Sequence, residues 1–437
     1  MISSYDELCG IAAYTRALER QIGPLMDVEV FDLDQFLLRH PHRRVQALGD
    51  RHVQDIASRL AEFDFVNIQL EYGTLGLTTG RILRRARILM EAANAVSVTF
   101  HTMLASEAVP WEAVGQALNR MRLLRAAMLV ADTYRSGTLG TRFYALLRRM
   151  QERKPVRVIA HTRRDARLLR DLHGIREVAH HPLTFVRPVE AATIRANARR
   201  DAFPLLRRLP PQAKLIGTFG FLSPYKGFET AIRALRLLPD DHHLLVFGGV
   251  HPNTIARHQP IDPYVERLLQ AGRIGQSVLD ELREPGSAPA ALNLDGGAAA
   301  LLGAHPQDLR GRIHFMGVLD DAEFCTAMAI CASVVLPYLE VGQTSSGPVC
   351  MALDMGCRVI ASRNRAFLQM ARYHPGEIEF FDVGNYAELA ARIAADPPFD
   401  RRDRVLAYNT DTNAALYLGL HQRSDARSLA ASRAPAR

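Results

Sequence analysis

The chain has 437 residues, 48% of them hydrophobic and 23% charged, which is enough apolar surface for large cores and too much chain for one ordinary domain. Two domains of roughly 200 residues are expected. No apolar run reaches the ~18 residues that cross a bilayer, and the N-terminus lacks a basic-then-apolar signal pattern, so the expected location is cytoplasmic.

The start is abrupt. Only Met1 to Ser4 precede the polar Tyr5-Asp6-Glu7, and Cys9-Gly10-Ile11-Ala12-Ala13-Tyr14-Thr15 then opens a helix. Either the first strand is very short or the recorded start lies downstream of the true one. The second alternative is preferred, because a missing central strand would expose two sheet edges. Short apolar runs at Val28–Leu33, Phe65–Leu70, Val96–Phe100, Met128–Ala131 and Val156–Ala160 alternate with helical patterns, the signature of a parallel sheet built from βαβ units. A proline-broken linker, 187–211, separates this first domain, 1–186, from a second series of runs at Leu215–Phe219, Leu244–Phe247, Ile313–Phe315, Val334–Leu336, Val359–Ala361 and Ile378–Phe381. The second domain spans 212–400 and carries a Gly- and Pro-containing insertion at about 251–307 that reads as mobile surface loop. A helix returning to the first domain is expected at 401–423, and a disordered Ala/Arg/Ser tail at 424–437. The five cysteines, Cys9, Cys325, Cys331, Cys350 and Cys357, are an odd set without zinc spacing and read as free thiols, four of them buried.

The net charge of +8 is unevenly spread. From Arg81 to Arg176, 19 Lys and Arg face 7 Asp and Glu, and the rest of the chain is slightly acidic. Arg81, Arg84, Arg85 and Arg87 share one predicted helix, Arg120, Arg122 and Arg125 another, and Arg148, Arg149, Arg153 and Lys154 follow, with Leu and Met between them. Two readings stand side by side: a surface that rests on anionic lipid, and an ordinary solvated face. No nucleic-acid recognition module or aromatic platform is visible.

The segment richest in chemistry is Gly217 to Gly227, Gly-Thr-Phe-Gly-Phe-Leu-Ser-Pro-Tyr-Lys-Gly. It reads as a strand, a glycine turn and a lysine at the mouth of an amphipathic helix, so that backbone N–H groups, the helix dipole and Lys226 converge on an anion. An ordinary βα turn with a surface lysine is the alternative. A second segment, Val334 to Gly347, ends a buried strand at Pro337 and enters a Gly/Ser loop in which Ser345 or Ser346 caps the next helix. Two helix N-termini at the carboxyl ends of parallel strands suit a ligand with several phosphates.

With these two segments, Cys9 to Thr15, Val66 to Gly73, Val98-Thr99-Phe100-His101-Thr102, Val158-Ile159-Ala160-His161 and His180-His181-Pro182, the chain resembles the family 4 type of retaining glycosyltransferases over nearly its whole length. The resemblance implies an α/β chain of the GT-B fold, two Rossmann-like domains facing a central cleft. It further implies a nucleotide-sugar donor, with Lys226 carrying the charge of the departing diphosphate and the helix N-termini after Gly10 and Ser346 assisting. His101 would act at the donor sugar, the alternative being a capping or packing histidine. Gly220, Ser223, Glu340, Gln343, Thr344, Ser345, Ser346 and Gly347 would complete the donor site, and Glu71, Tyr72 and Gly73 would meet the acceptor. His161, His180 and His181 read as mainly structural.

Two departures from the family pattern stand out. The arginine expected shortly before the lysine is replaced by Phe221 or Ser223, and the family's two glutamates fall at Gln343 and Met351. Gln343 keeps hydrogen-bonding capacity without charge, whereas Met351 cannot hold a ribose hydroxyl. Glu340 is an alternative carboxylate, or a solvent-facing loop residue. Because the helix dipoles and Lys226 can carry the phosphate charge, neither a metal nor another cofactor is expected. The leading expectation is transfer of a hexose, with retention, to a glycan or lipid-linked acceptor in bacterial-type polysaccharide synthesis, at the inner face of the membrane if the arginines bind lipid. A non-catalytic GT-B protein that binds a nucleotide sugar or a partner enzyme is the alternative. A nicotinamide oxidoreductase is disfavoured because no Gly-x-Gly-x-x-Gly with a ribose-binding acid follows a strand.

Overall fold

The structure is a computed structural model that describes all residues except Leu8, 105–110, 251–261, 272–308, 310, 340–344, 396–405 and 420–437, together with the side chains of 126, 129–137 and 270. It divides into two compact units, one formed by Met1–Phe185 with Ser345 and a helix over 410–419, the other by the remaining described residues from Val186 to Asn409. Most of the predicted insertion, and all of the tail, lie outside the described residues.

The first unit holds six parallel strands, β1 (Ile2–Ser3), β2 (Phe31–Asp32), β3 (Val66–Leu70), β4 (Val96–Phe100), β5 (Val156–Ala160) and β6 (Val178–His180), in the order β2-β1-β3-β4-β5-β6. The first strand is only two residues long, yet it pairs with β2 on one side and β3 on the other. The run Met128–Ala131 is not a strand. It lies inside one helix of 31 residues, Leu123–Arg153.

The two faces of this sheet differ in kind. Side chains alternate along a strand, so Val66, Ile68 and Leu70 of β3 enter one apolar core with Val96, Val98 and Phe100 of β4 and Val156, Val158 and Ala160 of β5. The residues between them, Asn67, Gln69, Ser97 and Thr99, point the other way and are buried as well. That second face is covered by helix Gly10–Ile22 and by the helix over 410–419, and it is held by hydrogen bonds: Ser3 Oγ to Thr15 Oγ1 at 2.7 Å, Thr99 Oγ1 to Tyr417 Oη at 2.9 Å, and Asn413 Nδ2 to Gln21 Oε1 at 2.8 Å.

The second unit repeats the architecture with β7 (Lys214–Phe219), β8 (His242–Phe247), β9 (Ile313–Gly317), β10 (Ser333–Leu336), β11 (Val359–Ser362) and β12 (Ile378–Phe381), all parallel, in the order β12-β11-β10-β7-β8-β9. Its apolar core draws Ile216, Leu244, Val246, Val335 and Ile360 from the strands and Phe228, Ile232 and Leu235 from the helix after β7. The stretch read as a linker is largely helical, with Pro188 at the first position of helix Pro188–Asn197, where its missing N–H costs nothing. Cys325, Cys331, Cys350 and Cys357 are buried free thiols and Cys9 is partly exposed.

Candidate anion-binding site

Strand β7 ends in Gly220 at φ +132°, followed by a short turn, Pro224–Lys226, then Gly227 at φ +64° and helix Phe228–Leu235. Both glycines are dictated by close approach. A Cβ on Gly227 would lie 2.1 Å from the Pro337 carbonyl oxygen, and one on Gly220 would lie 2.9 Å from Lys226 Cε. The turn thus folds the lysine back over the strand end.

Lys226 is 5% exposed. Its Nζ donates to Tyr338 Oη at 2.5 Å and sits 3.9 Å from the centroid of the Tyr338 ring and 4.9 Å from that of Tyr225. Aromatic faces stabilise an ammonium only in part, and among the described residues no carboxylate pairs with this one. Burial therefore lowers its pKa from 10.5 to about 7. Tyr338, whose own pKa burial raises, is fixed by Ser362 Oγ on its carbonyl oxygen at 2.5 Å and by Ser346 Oγ on its hydroxyl at 3.5 Å. Ser346 corrects one expectation. It holds the N-cap position of helix Gly347–Asp354 but makes no capping bond, its hydroxyl being turned to Tyr338. The first N–H groups of that helix are left without a side-chain cap.

The strand order explains why the lysine stands here. The chain leaves β7 for β8 on one side and leaves β10 for β11 on the other, so β7 and β10 are the neighbouring pair at which the crossovers diverge. A crevice opens at the carboxyl ends of such a pair, the place where open α/β sheets bind ligands. Lys226 follows β7 and Tyr338 follows β10, one on each side of it. Gly220, Ser223, Ser346 and Gly347 belong to the same unit, whereas Ser345 is counted with the first. Ser223 contributes its carbonyl oxygen to the Lys226 N–H at 3.0 Å. Glu340, Gln343 and Thr344 lie outside the described residues. Met351 is buried in helix Gly347–Asp354.

Gly10, Glu71 and His101 belong to the first unit, where the crossovers diverge between β1 and β3. Gly10 is the exposed first residue of its helix, and the preceding Cys9 Sγ accepts the Ala12 N–H at 3.5 Å. Glu71 follows β3 and accepts from Thr102 Oγ1 at 2.7 Å, and burial raises its pKa. Tyr72, expected beside the acceptor, is 3% exposed and packs edge-on against Phe100 and Phe143, so it is a core residue.

His101 follows β4 and its Nε2 meets Gln69 Oε1 at 2.8 Å. Gln69 Nε2 donates to Asn67 Oδ1, and Asn67 Nδ2 donates to Ser97 Oγ and Thr99 Oγ1, which touches the Tyr417 hydroxyl. With each donor assigned in this chain, the His101 proton sits on Nε2. Burial and the nearby His161, whose ring centroid is 5.0 Å away, hold His101 neutral, well below the usual histidine range. Sequence reading missed Tyr338, Tyr225 and Tyr417. Tyr225 directly precedes Lys226 in the turn, but Tyr338 at a strand end and Tyr417 on a distant helix look like ordinary core, and only the fold brings those two to Lys226 and Thr99.

The arginine-rich stretch also separates into parts. Arg85 is buried, bound to Asp50 Oδ1 at 2.8 Å and to the carbonyl oxygens of Leu38 and Leu75, and Lys154 Nζ closes the end of helix Thr79–Ala92 through the carbonyls of Met90, Glu91 and Ala93. Neither belongs to a basic surface. Arg120, Arg122, Arg125, Arg148 and Arg149 are exposed. Among the described residues no helix is long and apolar enough to cross a membrane, and no cluster of His, Cys, Asp and Glu could hold a metal.

No protein-family model matches the chain, and no curated protein sequence does. Its fold is shared with solved glycosyltransferases. HepE from Anabaena, crystallised with UDP and glucose, is 16% identical, with 98% of each chain covered and a TM-score of 0.52. Sucrose-phosphate synthase from Thermosynechococcus elongatus is 15% identical over 98% of this chain and 96% of its own, with a TM-score of 0.59. A glycosyltransferase from Rickettsia africae is 13% identical over 91% of this chain and 85% of its own, with a TM-score of 0.55. The chain therefore has the GT-B fold.

Proposed function

We propose that this protein is a glycosyltransferase that takes a nucleotide-sugar donor at the Lys226 turn and passes the sugar, with retention, to a glycan or lipid-linked acceptor of the bacterial polysaccharide type. The observation that carries the reading is Lys226: a buried cation at the divergence of the crossovers, with aromatic rings around it and no described carboxylate beside it. Such a group is costly to the empty protein and is repaid by an anion. Departure of the sugar leaves negative charge on the outer phosphate, which Lys226, protonated as the anion arrives, stabilises where the charge develops. HepE, of the same fold, was crystallised with UDP and glucose, which supports a nucleoside diphosphate as the ligand.

In this reading the neutral His101 acts at the donor sugar as a positioned hydrogen-bonding group, and Glu71 lies on the acceptor side. Both stand at carboxyl ends of strands of the first unit, where ligand-facing residues collect. The phosphate charge is carried by Lys226 and helix N-termini, so no metal is assigned to the reaction, and no nucleic acid is a partner. The exposed arginines between 81 and 176 would bring the protein to the inner face of a membrane that carries the acceptor.

A second reading has its own observation. Met351, at the position of one family glutamate, is buried and apolar, which favours a GT-B protein that binds a nucleotide sugar or a partner enzyme without turnover. A panel of UDP, GDP and ADP sugars, followed by melting-temperature shift and by donor hydrolysis with and without chelator, separates the two. The transferase reading expects a shift with one base and hydrolysis that chelator leaves unchanged. A shift with no hydrolysis and no transfer supports the second reading, and no shift with any sugar removes both.

A further inference from the structure

Helix Leu123–Arg153 precedes β5 in a parallel sheet, so it runs against the strands and its N-terminal end lies at their carboxyl ends. At about 1.5 Å per residue its 31 residues span roughly 46 Å, whereas the five of β5 span roughly 17 Å. The helix is held by its second half, where Leu139, Phe143, Tyr144, Leu147 and Met150 are buried. Its first turns project past the sheet at the end where Glu71 and His101 stand. Helix Trp111–Asn119 packs against it through a tight turn, closed by the Met121 N–H on the Leu118 carbonyl and the Arg122 N–H on the Ala117 carbonyl.

This tip is apolar where solvent would favour polar side chains. Trp111 is 68% exposed, Met121 83% and Leu124 82%, and Leu123 and Met128 are exposed beside them. Met121 is also one of only two non-glycine residues with positive φ among those described, at +54°. Glycine or asparagine suits that backbone better, and the side chain gains no burial in return. The fold gives no reason for a methionine there. Among the described residues of the tip, Arg120, Arg122 and Arg125 are exposed, against one exposed acid, Glu112.

We propose that the helical tip 111–128 inserts into an anionic bilayer surface, Trp111, Met121, Leu123 and Leu124 entering the acyl boundary while Arg120, Arg122 and Arg125 meet lipid phosphates. The inference deepens, and rests on, the reading of a lipid-linked acceptor: insertion would bring the carboxyl ends of β3 and β4 toward the lipid surface. It also narrows the basic stretch 81–176 to one element and gives apolar side chains, not charge alone, the anchoring role.

The chain has a single tryptophan, so Trp111 emission reports on the tip alone. Full-length protein is mixed at low salt with phosphatidylcholine vesicles, with and without phosphatidylglycerol. The expected result is a blue shift and quenching by bromine-labelled acyl chains with the anionic vesicles only. The doubly substituted Met121→Asp, Leu124→Asp protein is expected to bind them at least ~10-fold more weakly at an unchanged melting temperature. Vesicle binding with unchanged Trp111 emission, or equal binding by the double variant, overturns the proposal. So does a concentration-dependent dimer abolished by the same substitutions, since the tip would then cover a second copy of the chain. Donor response is measured separately without lipid: an inserting protein that no nucleotide sugar stabilises keeps this inference and overturns the transferase reading.

Discussion

Lys226 and Tyr338 are 112 residues apart in the chain, yet the lysine Nζ donates to the tyrosine hydroxyl at 2.5 Å across the point where the crossovers of the second sheet diverge. The pairing holds the ammonium in place without a counter-charge among the described residues, and burial sets its pKa near 7.

A pH dependence follows. The folded pKa, about 7, lies below the unfolded value of 10.5. Between the two the unfolded chain holds the proton that the folded chain has lost, so stability rises with pH across this window, with a slope on the order of 1 kcal/mol per pH unit for this one group. Below about 7 the penalty is complete, and above 10.5 it is absent. Lys226→Met should therefore have its greatest relative stability at pH 6–7 and lose that advantage toward pH 10, as read by urea titrations of both proteins. A bound diphosphate stabilises the ammonium, so UDP affinity should fall as pH rises above about 7, and the fall should vanish in the variant. Turnover in Lys226→Ala should drop by at least ~10².

The two glycines of the turn should respond differently to the same substitution. Ala at 227 drives its Cβ into the backbone carbonyl of Pro337, which cannot move without disturbing the end of β10, and it strains φ +64° as well. Ala at 220 meets the Lys226 side chain, which can swing away. Gly227→Ala should cost more than ~3 kcal/mol and lower the yield of folded protein. Gly220→Ala should cost about 1–3 kcal/mol through backbone strain and lose UDP binding in a protein that still melts cooperatively. Calorimetry with UDP titration checks both, and equal stability losses would mean that the turn does not depend on the Pro337 approach.

Tyr417 should act through His101. Its hydroxyl touches Thr99 Oγ1, which with Gln69 and Asn67 forms the chain of donors that keeps the His101 proton on Nε2. Tyr417→Phe should lower kcat about 5- to 20-fold at little cost in donor KM, an effect of the size of one hydrogen bond in a buried network. In a His101→Ala background the same change should do nothing further. An undiminished Tyr417→Phe effect in that background would make the tyrosine a purely structural contact of the helix over 410–419.

Legibility in the sequence depended on how local each signal is. The six strands of the second unit are readable because each is a compact apolar run bounded by turn residues. In the first unit β1 has two residues and β6 is only partly buried, so neither forms such a run. Met128–Ala131 misleads because a short apolar stretch fits a buried strand or a helix equally well. The Lys226 turn is readable because strand, glycines and lysine are contiguous. Tyr338 and Tyr417 are not, since their partners are 112 and 318 residues away. The polar face of the first sheet lies between these cases. The alternation in Val-Asn-Ile-Gln-Leu is plain, but alternation ordinarily means one solvated face, and here the polar residues are buried and bonded to one another.

The arginines supply the last test, because charge counts treat them alike and the structure does not. Arg85 is enclosed, with its Nε on Asp50 and its remaining nitrogens on the backbone carbonyls of Leu38, Leu75 and Gln46. Arg87, one residue beyond the next on the same helix, is exposed. Arg85→Met should cost about 3–5 kcal/mol, since it leaves the partly buried Asp50 to its longer contact with Arg84, at 3.6 Å, and takes the guanidinium from several carbonyl oxygens at once. Arg87→Glu should stay within about 0.5 kcal/mol. Urea midpoints of the two variants give the comparison directly. A near-neutral Arg85→Met would mean that the carbonyls find water when the guanidinium is gone, and that the helix 79–92 is less tightly docked than its hydrogen bonds indicate.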